Sequence, residues 1–429
     1  MTIIYLECGT TIRSSFNTGI QRVVRNIINN KKSIEDLSFV DECHLVEYVD
    51  QDFYILPKTT IAPDVVKADA VLRFLQSTNI FFKKKCNPHL HKIFKYILHG
   101  TYAELVNARI RWGHVKAAKK GRSELLKLNK HKTPSEAKKI LILLDSSWHD
   151  DMWPRVSDFQ KSGGFVYAVL YDLIPFSHPE TVEITTRKLH TNWWRSAIKK
   201  LDGVVCISKA VQNELNEWQL KITHNKLPVD YFYLGSELNE SDPVIKVLNT
   251  PSPFFLMVGS IEPRKNHSIV LDAFESLWLR GISGSLVICA NNSWMSEELM
   301  ERIKAHPQLN QQLFLVEKAS DRDLVYLNKS CCALIMASIA EGFGLPIVEA
   351  LQLGAKVICN DIPVFREIGE QNVTYFSFNN SHSLELLIED HINQYLPTRE
   401  LEKKWISWPE SARMLGEKCL GLSIKNEVR

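Results

Sequence analysis

Two glutamates, Glu341 and Glu349, stand eight residues apart in the stretch EGFGLPIVE. The stretch follows an apolar run, 333–337, that predicts a buried strand, and Pro346 suits the first turn of a helix. Its glycines permit a tight loop close to a ligand, and the free N–H groups of a helix N-terminus bind phosphate or hydroxyl groups. The two carboxylates could therefore hold the two ends of one extended ligand. The alternative is a capped helix with a solvent-exposed glutamate.

Two adjacent cations, Arg264 and Lys265, follow another predicted strand, Phe254–Val258. A helix with 3.6-residue periodicity is predicted after them, over Ser268–Arg280. Arginine binds a diphosphate bidentately and lysine adds a point charge, so this turn suits a nucleotide diphosphate. A surface turn with solvated charges is the other interpretation.

These stretches resemble glycosyltransferase family 4, which is marked by Glu-x7-Glu in the context EGFGLPxxE and by the element G-x-x-x-P-R-K. Both patterns are present here, at 341–349 and 259–265. The resemblance implies that Glu341 binds donor-sugar hydroxyls and that Glu349 binds the nucleotide ribose. It implies that Arg264 and Lys265 stabilise the departing diphosphate. It also implies further donor-binding positions, which are Ser260, where some relatives carry Arg, and the backbone of Gly342, Phe343, Gly344 and Leu345.

Two stretches nearer the N-terminus carry the same resemblance. Gly19, in the sequence TGIQRV, looks like the glycine loop of the family, whose backbone approaches the donor phosphates; a plain turn is the alternative. Tyr171 and Asp172 stand where many relatives show His-Asp-x-x-Pro, with Tyr171 in place of His. Asp172 could orient or deprotonate the acceptor hydroxyl, or hold a turn. Ser208, in the sequence ISKA, predicts a helix cap.

The sequence gives fewer indications of the residues that bind the acceptor. Asp145 and Trp148 follow the predicted strand Ile140–Leu144. Indole faces stack well on sugar rings, so we expect these residues on the acceptor side together with Tyr171. Packing in the core or on the surface is the alternative.

Short apolar runs alternate with helix-length segments along most of the chain, a pattern typical of parallel sheets covered on both faces. The predicted strands are Ile140–Leu144, Phe165–Leu170, Gly203–Ile207, Phe254–Val258, Leu286–Ala290, Leu313–Val316, Ala333–Ala337 and Lys356–Asn360. The resemblance implies the GT-B fold, an α/β architecture of two Rossmann-like doubly wound domains facing a cleft. The predicted parts are an acceptor-side domain (1–240), a linker (241–253), a nucleotide-sugar domain (254–400) and a C-terminal helix crossing back (401–429).

A basic segment, 81–139, interrupts the first predicted domain. Between Lys83 and Lys139 there are 13 Lys and 3 Arg against 3 Glu, in a chain whose net charge is only +3. We interpret it as a helical insertion that contacts anionic membrane lipid peripherally; a helical hairpin with a solvated face is the alternative. No recognisable nucleic-acid-binding module accompanies it.

Composition and missing motifs exclude other classes. The chain is 45% hydrophobic and 24% charged, as globular proteins are, and has no apolar run long enough to span a bilayer. Nine scattered cysteines without zinc spacing predict reduced thiols and therefore a cytoplasmic protein. A peripheral place at the inner face of the cytoplasmic membrane is compatible with this prediction. There is no G-x-G-x-x-G dinucleotide fingerprint and no G-x-S-x-G elbow.

One acidic motif has the spacing of a metal-binding D-x-D. Asp321 and Asp323 form a D-x-D, but Ser320 before them predicts a helix cap with an acidic first turn. Because Arg264 and Lys265 can neutralise a diphosphate, we expect neither a metal nor another cofactor.

The resemblance implies a retaining enzyme with the catalytic set Glu341, Arg264, Lys265 and Asp172. It would move a hexose from a nucleotide-sugar, GDP-mannose first and then dTDP-rhamnose or a UDP-hexose, to a glycan acceptor. With the basic segment, the acceptor is read as a lipid-linked glycan in bacterial surface polysaccharide assembly. The rival hypotheses are a non-catalytic GT-B scaffold that binds a glycan or an enzyme, and a soluble phosphorylase or sugar-phosphate transferase.

Overall fold

The computed structural model describes residues 1–13, 18–57, 126–131, 133–134, 136–148, 150–222, 226–238, 253–290, 296–377, 381–394 and 404–427. They fall into two compact units, Met1–Val166 and Tyr167–Arg429. Most of the predicted basic insertion and the predicted linker lie outside the described residues. At the end of the insertion, a short 3-10 helix covers Leu128–Lys130 and a strand begins at Lys138.

The first unit is an α/β unit built on buried strands. Its elements are β1 (Thr2–Glu7), α1 (Gly9–Arg13), α2 (Gly19–Asn29), α3 (Lys32–Glu35), β2 (Glu42–Val49), β3 (Asp52–Ile55), β4 (Lys138–Leu143) and α4 (Trp153–Lys161). The strand order is β3-β2-β1-β4, with β1 parallel to β2 and β4, and β3 antiparallel to β2. All six residues of β1 are buried, because a central parallel strand is covered on both faces.

Strand β5 (Gly164–Leu170) ends in the second unit and pairs there with further strands. The elements after it are α5 (Ile174–Ser177), α6 (Ile184–Ala197), β6 (Gly203–Cys206), α7 (Lys209–Ile222) and β7 (Val229–Tyr231). Strand β6 lies between β5 and β7, parallel to both.

A six-stranded sheet, parallel throughout, forms the rest of the second unit, in the order β10-β9-β8-β11-β12-β13. Its elements are β8 (Phe254–Val258), α8 (His267–Leu279), β9 (Ser285–Cys289), α9 (Glu297–Lys304), β10 (Leu313–Val316), α10 (Asp321–Ser330), β11 (Ala333–Met336), α11 (Leu345–Gln352), β12 (Val357–Asn360), α12 (Pro363–Gly369), β13 (Thr374–Phe376), α13 (Ser381–Asn393) and α14 (Trp408–Glu427). The last helix, α14, packs on β6 and β7.

The core of this sheet follows from the spacing of apolar residues. Helix α8 buries Val270, Phe274 and Leu277, which recur at helical period on one face. They join Phe255 of β8 and Leu384 of α13 in one apolar cluster. Burial of such side chains contributes about 1.5–3 kcal/mol each, which holds the loops at the strand ends in place.

The predicted strands are confirmed: all eight appear within two residues of the predicted bounds. The predicted helices also appear, at His267–Leu279 and Leu345–Gln352. The two-sheet α/β architecture is the predicted one. The sequence did not reveal the short edge strands β3, β7 and β13. It also did not reveal β2, in which Glu42, His44 and Glu47 break up the apolar pattern.

The D-x-D motif lies at a helix start. Asp323 donates its backbone N–H to Ser320 Oγ at 3.1 Å, and its carboxylate accepts from the Ser320 backbone N–H at 2.8 Å. This reciprocal pair is a capping box that begins α10. The prediction of a helix cap here is confirmed.

We therefore expect Ser320→Ala to destabilise the protein by about 1 kcal/mol through loss of the cap. Urea denaturation measures this, with Lys329→Ala, on the exposed side of the same helix, as the control. Thermal unfolding with and without Mn²⁺ tests the alternative that the D-x-D motif binds a metal. Stabilisation by Mn²⁺ that Ser320→Ala or Asp323→Asn removes would contradict a purely structural role.

Candidate active site

A loop between β11 and α11 carries the first predicted glutamate. Gly344 has φ +117° and precedes the helix, so its backbone conformation favours glycine. At Gly342, an added Cβ would lie 1.9 Å from the carbonyl oxygen of Tyr171. Tyr171, which directly follows β5, therefore lies against this loop, which itself follows β11.

The predicted diphosphate cations lie beside the same loop. A 3-10 helix, Pro263–Lys265, follows β8 and ends at Asn266, whose φ is +54°. The backbone N–H of Ile339 donates to the carbonyl of Arg264 at 2.9 Å, and Arg264 Nη1 lies 3.4 Å from the carbonyl of Ala340. One main-chain hydrogen bond and one contact from the Arg264 side chain thus hold the two loops together.

Glu341 forms ion pairs with both cations. Its Oε2 lies 2.7 Å from Arg264 Nη1, its Oε1 contacts Lys265 Nζ, and Ser338 Oγ donates to Oε1 at 2.9 Å. The Glu341 side chain is only 10% exposed, so these contacts operate with little screening by water. Three of the four predicted catalytic residues therefore form one cluster.

Burial and charge act in opposite directions on these groups. Burial would raise the pKa of Glu341, but Arg264 and Lys265 lower it to about 2. Burial would lower the pKa of Arg264, but the carboxylates around it, Glu341 foremost, raise it above its ordinary value. For Lys265 burial prevails and the pKa falls, while Glu341 opposes the change. Glu341 is consequently a carboxylate at any physiological pH.

Asp172, the fourth predicted catalytic residue, follows β5 at the same site. Its Oδ1 accepts the backbone N–H of Ile174 at 3.1 Å, which is the turn role that the sequence allowed. Burial raises its pKa to about 6, and nearby Arg264 opposes this. The carboxyl group therefore titrates close to neutral pH. A buried histidine, His190, makes a hydrogen bond to the Asp172 backbone, and desolvation lowers its pKa to about 3.

Glu349 is buried in α11, with 3% of its surface exposed. It borders a cavity lined also by Ser236, Glu237, Leu238, Val325 and Gln352. Glu349 therefore lies beside a cavity, one helix turn from the glycine loop, and the ribose role that the resemblance implied stays a prediction.

A second set of contacts ties the glycine loop to α7. Ser208 Oγ donates to the carbonyl of Gly342 at 2.8 Å and accepts from the backbone N–H of Val211 at 3.2 Å. The predicted helix cap at Ser208 is thus confirmed. Glu367 of α12 accepts the backbone N–H groups of Lys209 and Ala210, each at 2.7 Å. Sequence reasoning missed Glu367 because no local pattern marks a carboxylate that caps a helix 157 residues away.

The other predicted donor residues of the second unit lie around this loop. Ser260 follows Gly259, whose φ is +141°, directly after β8. Phe343 is buried, and its ring centroid lies 6.4 Å from that of Tyr233 and 6.0 Å from that of Trp405. Leu345 opens α11. The Phe343 side chain is therefore a packing element, and its backbone is the part available to a ligand.

Three predicted residues lie in the first unit. Gly19 begins α2 with an exposed backbone, and no atom within 4 Å would meet a Cβ there. Trp148 is half-buried. Asp145 is buried and accepts the backbone N–H of Thr11 at 2.5 Å and that of Ser146 at 2.7 Å. Asp145 thus orders the loop after β4.

Sequence reasoning missed the carboxylate next to Asp145. Glu7 ends β1 and is 1% exposed; it accepts from Ser147 Oγ at 2.7 Å and from the Gly9 backbone N–H at 2.9 Å. Burial and the Asp145 charge raise the pKa of Glu7 to about 7. Its position at the carboxyl end of a central parallel strand is the signal that could have identified it.

Comparison with known proteins supports the fold and the resemblance that these loops carry. Residues 239–408 match the family described as Glycosyl transferases group 1. The fold is GT-B. Sucrose-phosphate synthase from Thermosynechococcus elongatus matches with a TM-score of 0.53 at 13% identity, over 99% of this chain and 97% of that one. HepE of Anabaena in complex with UDP matches with a TM-score of 0.51 at 15% identity, over 100% and 98%.

The relatives found by sequence similarity include mannosyltransferases. The serotype-specific mannosyltransferase WbdA of Escherichia coli is 33% identical over 296 residues, which are 64% of this chain and 36% of WbdA. The O-antigen chain mannosyltransferase RfbU of Salmonella typhimurium is 24% identical over 223 residues, which are 52% of this chain and 59% of RfbU. The chain thus matches about a third of the length of WbdA.

Gly342→Ala tests the close approach of the two loops. The added Cβ would meet the Tyr171 carbonyl, so we expect a loss of about 2–4 kcal/mol of stability or a displaced loop. Gly421→Ala in α14 is the matched control, since nothing lies within 4 Å of its Cβ. Urea denaturation compares the two, and equal midpoints would show that the loops do not meet as described.

Asp172→Asn tests the raised pKa. An acid whose pKa is about 6 in the folded state and about 3.9 unfolded contributes stability below pH 4 that is lost as the pH rises through 6. Asn does not titrate, so the variant should gain about 1–2 kcal/mol relative to wild type between pH 4 and pH 7.5. Urea denaturation at both pH values measures this.

Asp361→Asn is the control of opposite sign. A hydrogen bond from Arg366 lowers the pKa of Asp361, so the stability that this carboxylate contributes is present at neutral pH and lost on acidification. A stability difference between Asp172→Asn and wild type that does not change with pH would contradict the raised pKa.

Proposed function

We propose that the protein is a retaining glycosyltransferase that moves a hexose from a nucleotide-diphosphate sugar to a glycan acceptor. The observation that carries this proposal is the cluster of Glu341, Arg264 and Lys265. It lies where β8 and β11 end, beside the N-terminus of α11. In parallel α/β sheets, ligands bind at the carboxyl ends of the strands.

The charges of the cluster suit a diphosphate leaving group. Both cations already contact a carboxylate, and a bound diphosphate would compete with Glu341 for them. Glu341 would then accept hydrogen bonds from hydroxyl groups of the donor sugar. As the glycosidic bond to the phosphate breaks, negative charge develops where Arg264, Lys265 and the helix N-terminus are already placed. These cations would neutralise the diphosphate in place of a metal ion, so the proposed chemistry requires no metal.

Retention is proposed to proceed by front-face attack. The acceptor hydroxyl would attack the anomeric carbon on the side that the diphosphate leaves, and a phosphate oxygen would take its proton. Glu341 is assigned to the hydroxyl groups of the donor sugar and is therefore not proposed as a covalent nucleophile. Asp172, with a pKa of about 6, is suited to orient the acceptor hydroxyl.

Mannose is the proposed sugar, with GDP-mannose as the donor and dTDP-rhamnose or a UDP-hexose as the next candidates. The support is that WbdA and RfbU are mannosyltransferases by name. A lipid-linked glycan in O-antigen or capsule biosynthesis is the proposed acceptor, reached from the cytoplasmic side of the membrane. Residues 83–139, with 13 Lys and 3 Arg against 3 Glu, support peripheral contact with anionic lipid. Within the described ranges, every helix is too short or too polar to span a bilayer.

Nucleotide binding tests the donor site directly. Thermal unfolding is measured with GDP, UDP, dTDP and ADP, for wild type, Glu349→Gln and the exposed control Glu298→Gln. We expect GDP to stabilise wild type and the control Glu298→Gln. In Glu349→Gln, most of this stabilisation should be lost. A nucleotide at 100 times its Kd stabilises by about 2.7 kcal/mol, which is readily measured.

Transfer is then measured with GDP-mannose and a mannoside acceptor, and NMR of the product gives the anomeric configuration. Nucleotide binding without transfer from any of the three donors would support the rival hypothesis of a non-catalytic scaffold. An inverted product would contradict the retaining mechanism.

A further inference from the structure

A cluster of two histidines and a glutamate lies in the first unit, apart from the residues of the proposed donor site. Glu42 and His44 are two residues apart on β2, so both side chains point to the same face of the sheet. The register places His44 opposite Tyr5 of β1, with ring centroids 5.7 Å apart. His131 follows the 3-10 helix Leu128–Lys130, and its ring centroid lies 5.1 Å from that of His44.

The ligand atoms of the cluster converge. One from each of Glu42, His44 and His131 lies within 4.8 Å of the other two, and His44 Nε2 is 2.5 Å from Glu42 Oε2. A tetrahedral metal with bonds of about 2.0–2.2 Å separates its ligand atoms by about 3.3 Å. The side chains therefore need shifts on the order of 1 Å, which rotation about their χ angles supplies. The Glu42 side chain is 40% exposed, so an ion can enter from solvent.

Tyr5 supplies the outer support that metal-binding histidines require. Its hydroxyl oxygen lies 2.9 Å from His131 Nδ1, which leaves Nε2 of that ring to coordinate an ion. A metal-bound histidine donates its other ring N–H to an oxygen, and this bond fixes the orientation of the ring. Tyr5 itself is buried, and its ring packs edge-on against Phe159 at 5.9 Å between centroids. The support is therefore rigid.

We propose that Glu42, His44 and His131 bind a divalent transition metal, with Zn²⁺ the best match. Two imidazoles and one carboxylate favour Zn²⁺ and its neighbours over Ca²⁺ and Mg²⁺, which prefer all-oxygen sites. Three protein ligands leave a fourth position for water on the exposed side. The bound ion connects His131 to β2.

The ion would reinforce an existing attachment. Lys127, four residues before His131, pairs with Asp52 of β3 at 2.8 Å. Together these contacts fasten residues 126–131 to the edge of the sheet. The site is thus a structural staple of the first unit and is independent of the proposed transfer chemistry.

Titration of the full chain with Zn²⁺ tests the site, after treatment with EDTA and dialysis. Isothermal titration measures the affinity, and Co²⁺ absorption reports the geometry. We expect one tight site in wild type that is abolished in His131→Gln and Glu42→Gln. Tyr5→Phe should weaken Zn²⁺ binding about 10- to 100-fold, because it removes the outer support alone. Circular dichroism of each metal-free variant checks that it is folded.

His306→Gln is the matched control. His306 pairs with Glu275 at 3.1 Å, and within the described residues this pair is not part of a cluster of three ligands. The variant should bind Zn²⁺ as wild type does. Equal Zn²⁺ affinity in wild type and folded His131→Gln, or no tight site in wild type, would overturn the proposal and leave the cluster as a hydrogen-bonded group.

Discussion

The second unit depends on one buried carboxylate shared between two cations. Glu341 belongs to the loop after β11, whereas Arg264 and Lys265 belong to the loop after β8. Burying one such charge alone would cost several kcal/mol, so the three side chains are tolerated only together. Strands β8 and β11 pair in parallel, so the loops that follow them are neighbours, and the ion pairs join these two loops.

Backbone proximity complements this electrostatic constraint. Because Gly342 has no side chain, the Tyr171 carbonyl can approach the loop, and Asp172 comes within the field of Arg264 and Glu341. Ser208 joins the same glycine carbonyl to the start of α7, and Glu367 caps that helix from α12. Elements distant in the chain thus converge on a few atoms of one loop. A ligand that moves this loop therefore acts on several elements at once.

The proposed metal site illustrates a different use of the same fold. In the second unit, Glu341 pairs with two cations, and Glu349 of α11 borders a cavity. In the first unit, Glu7 and Asp145 face backbone N–H groups and order the loops, while Glu42 faces imidazoles. The same type of side chain thus has cations, backbone N–H groups or imidazoles as its nearest partners, according to its place in the fold.

The sequence by itself determined eight of the strands, the helices at His267–Leu279 and Leu345–Gln352, and the two loops of the proposed donor site. Apolar periodicity and the patterns around Glu341 and Arg264 are local, so they can be read without the fold. The D-x-D at Asp321 was also resolved locally, because a cap involves neighbouring residues. Tertiary structure alone decided that Glu341 pairs with Arg264 and Lys265, that Asp172 has a raised pKa, and that Glu367 and His131 have distant partners. These features depend on burial and on contacts across more than 70 residues of chain, which no local pattern encodes.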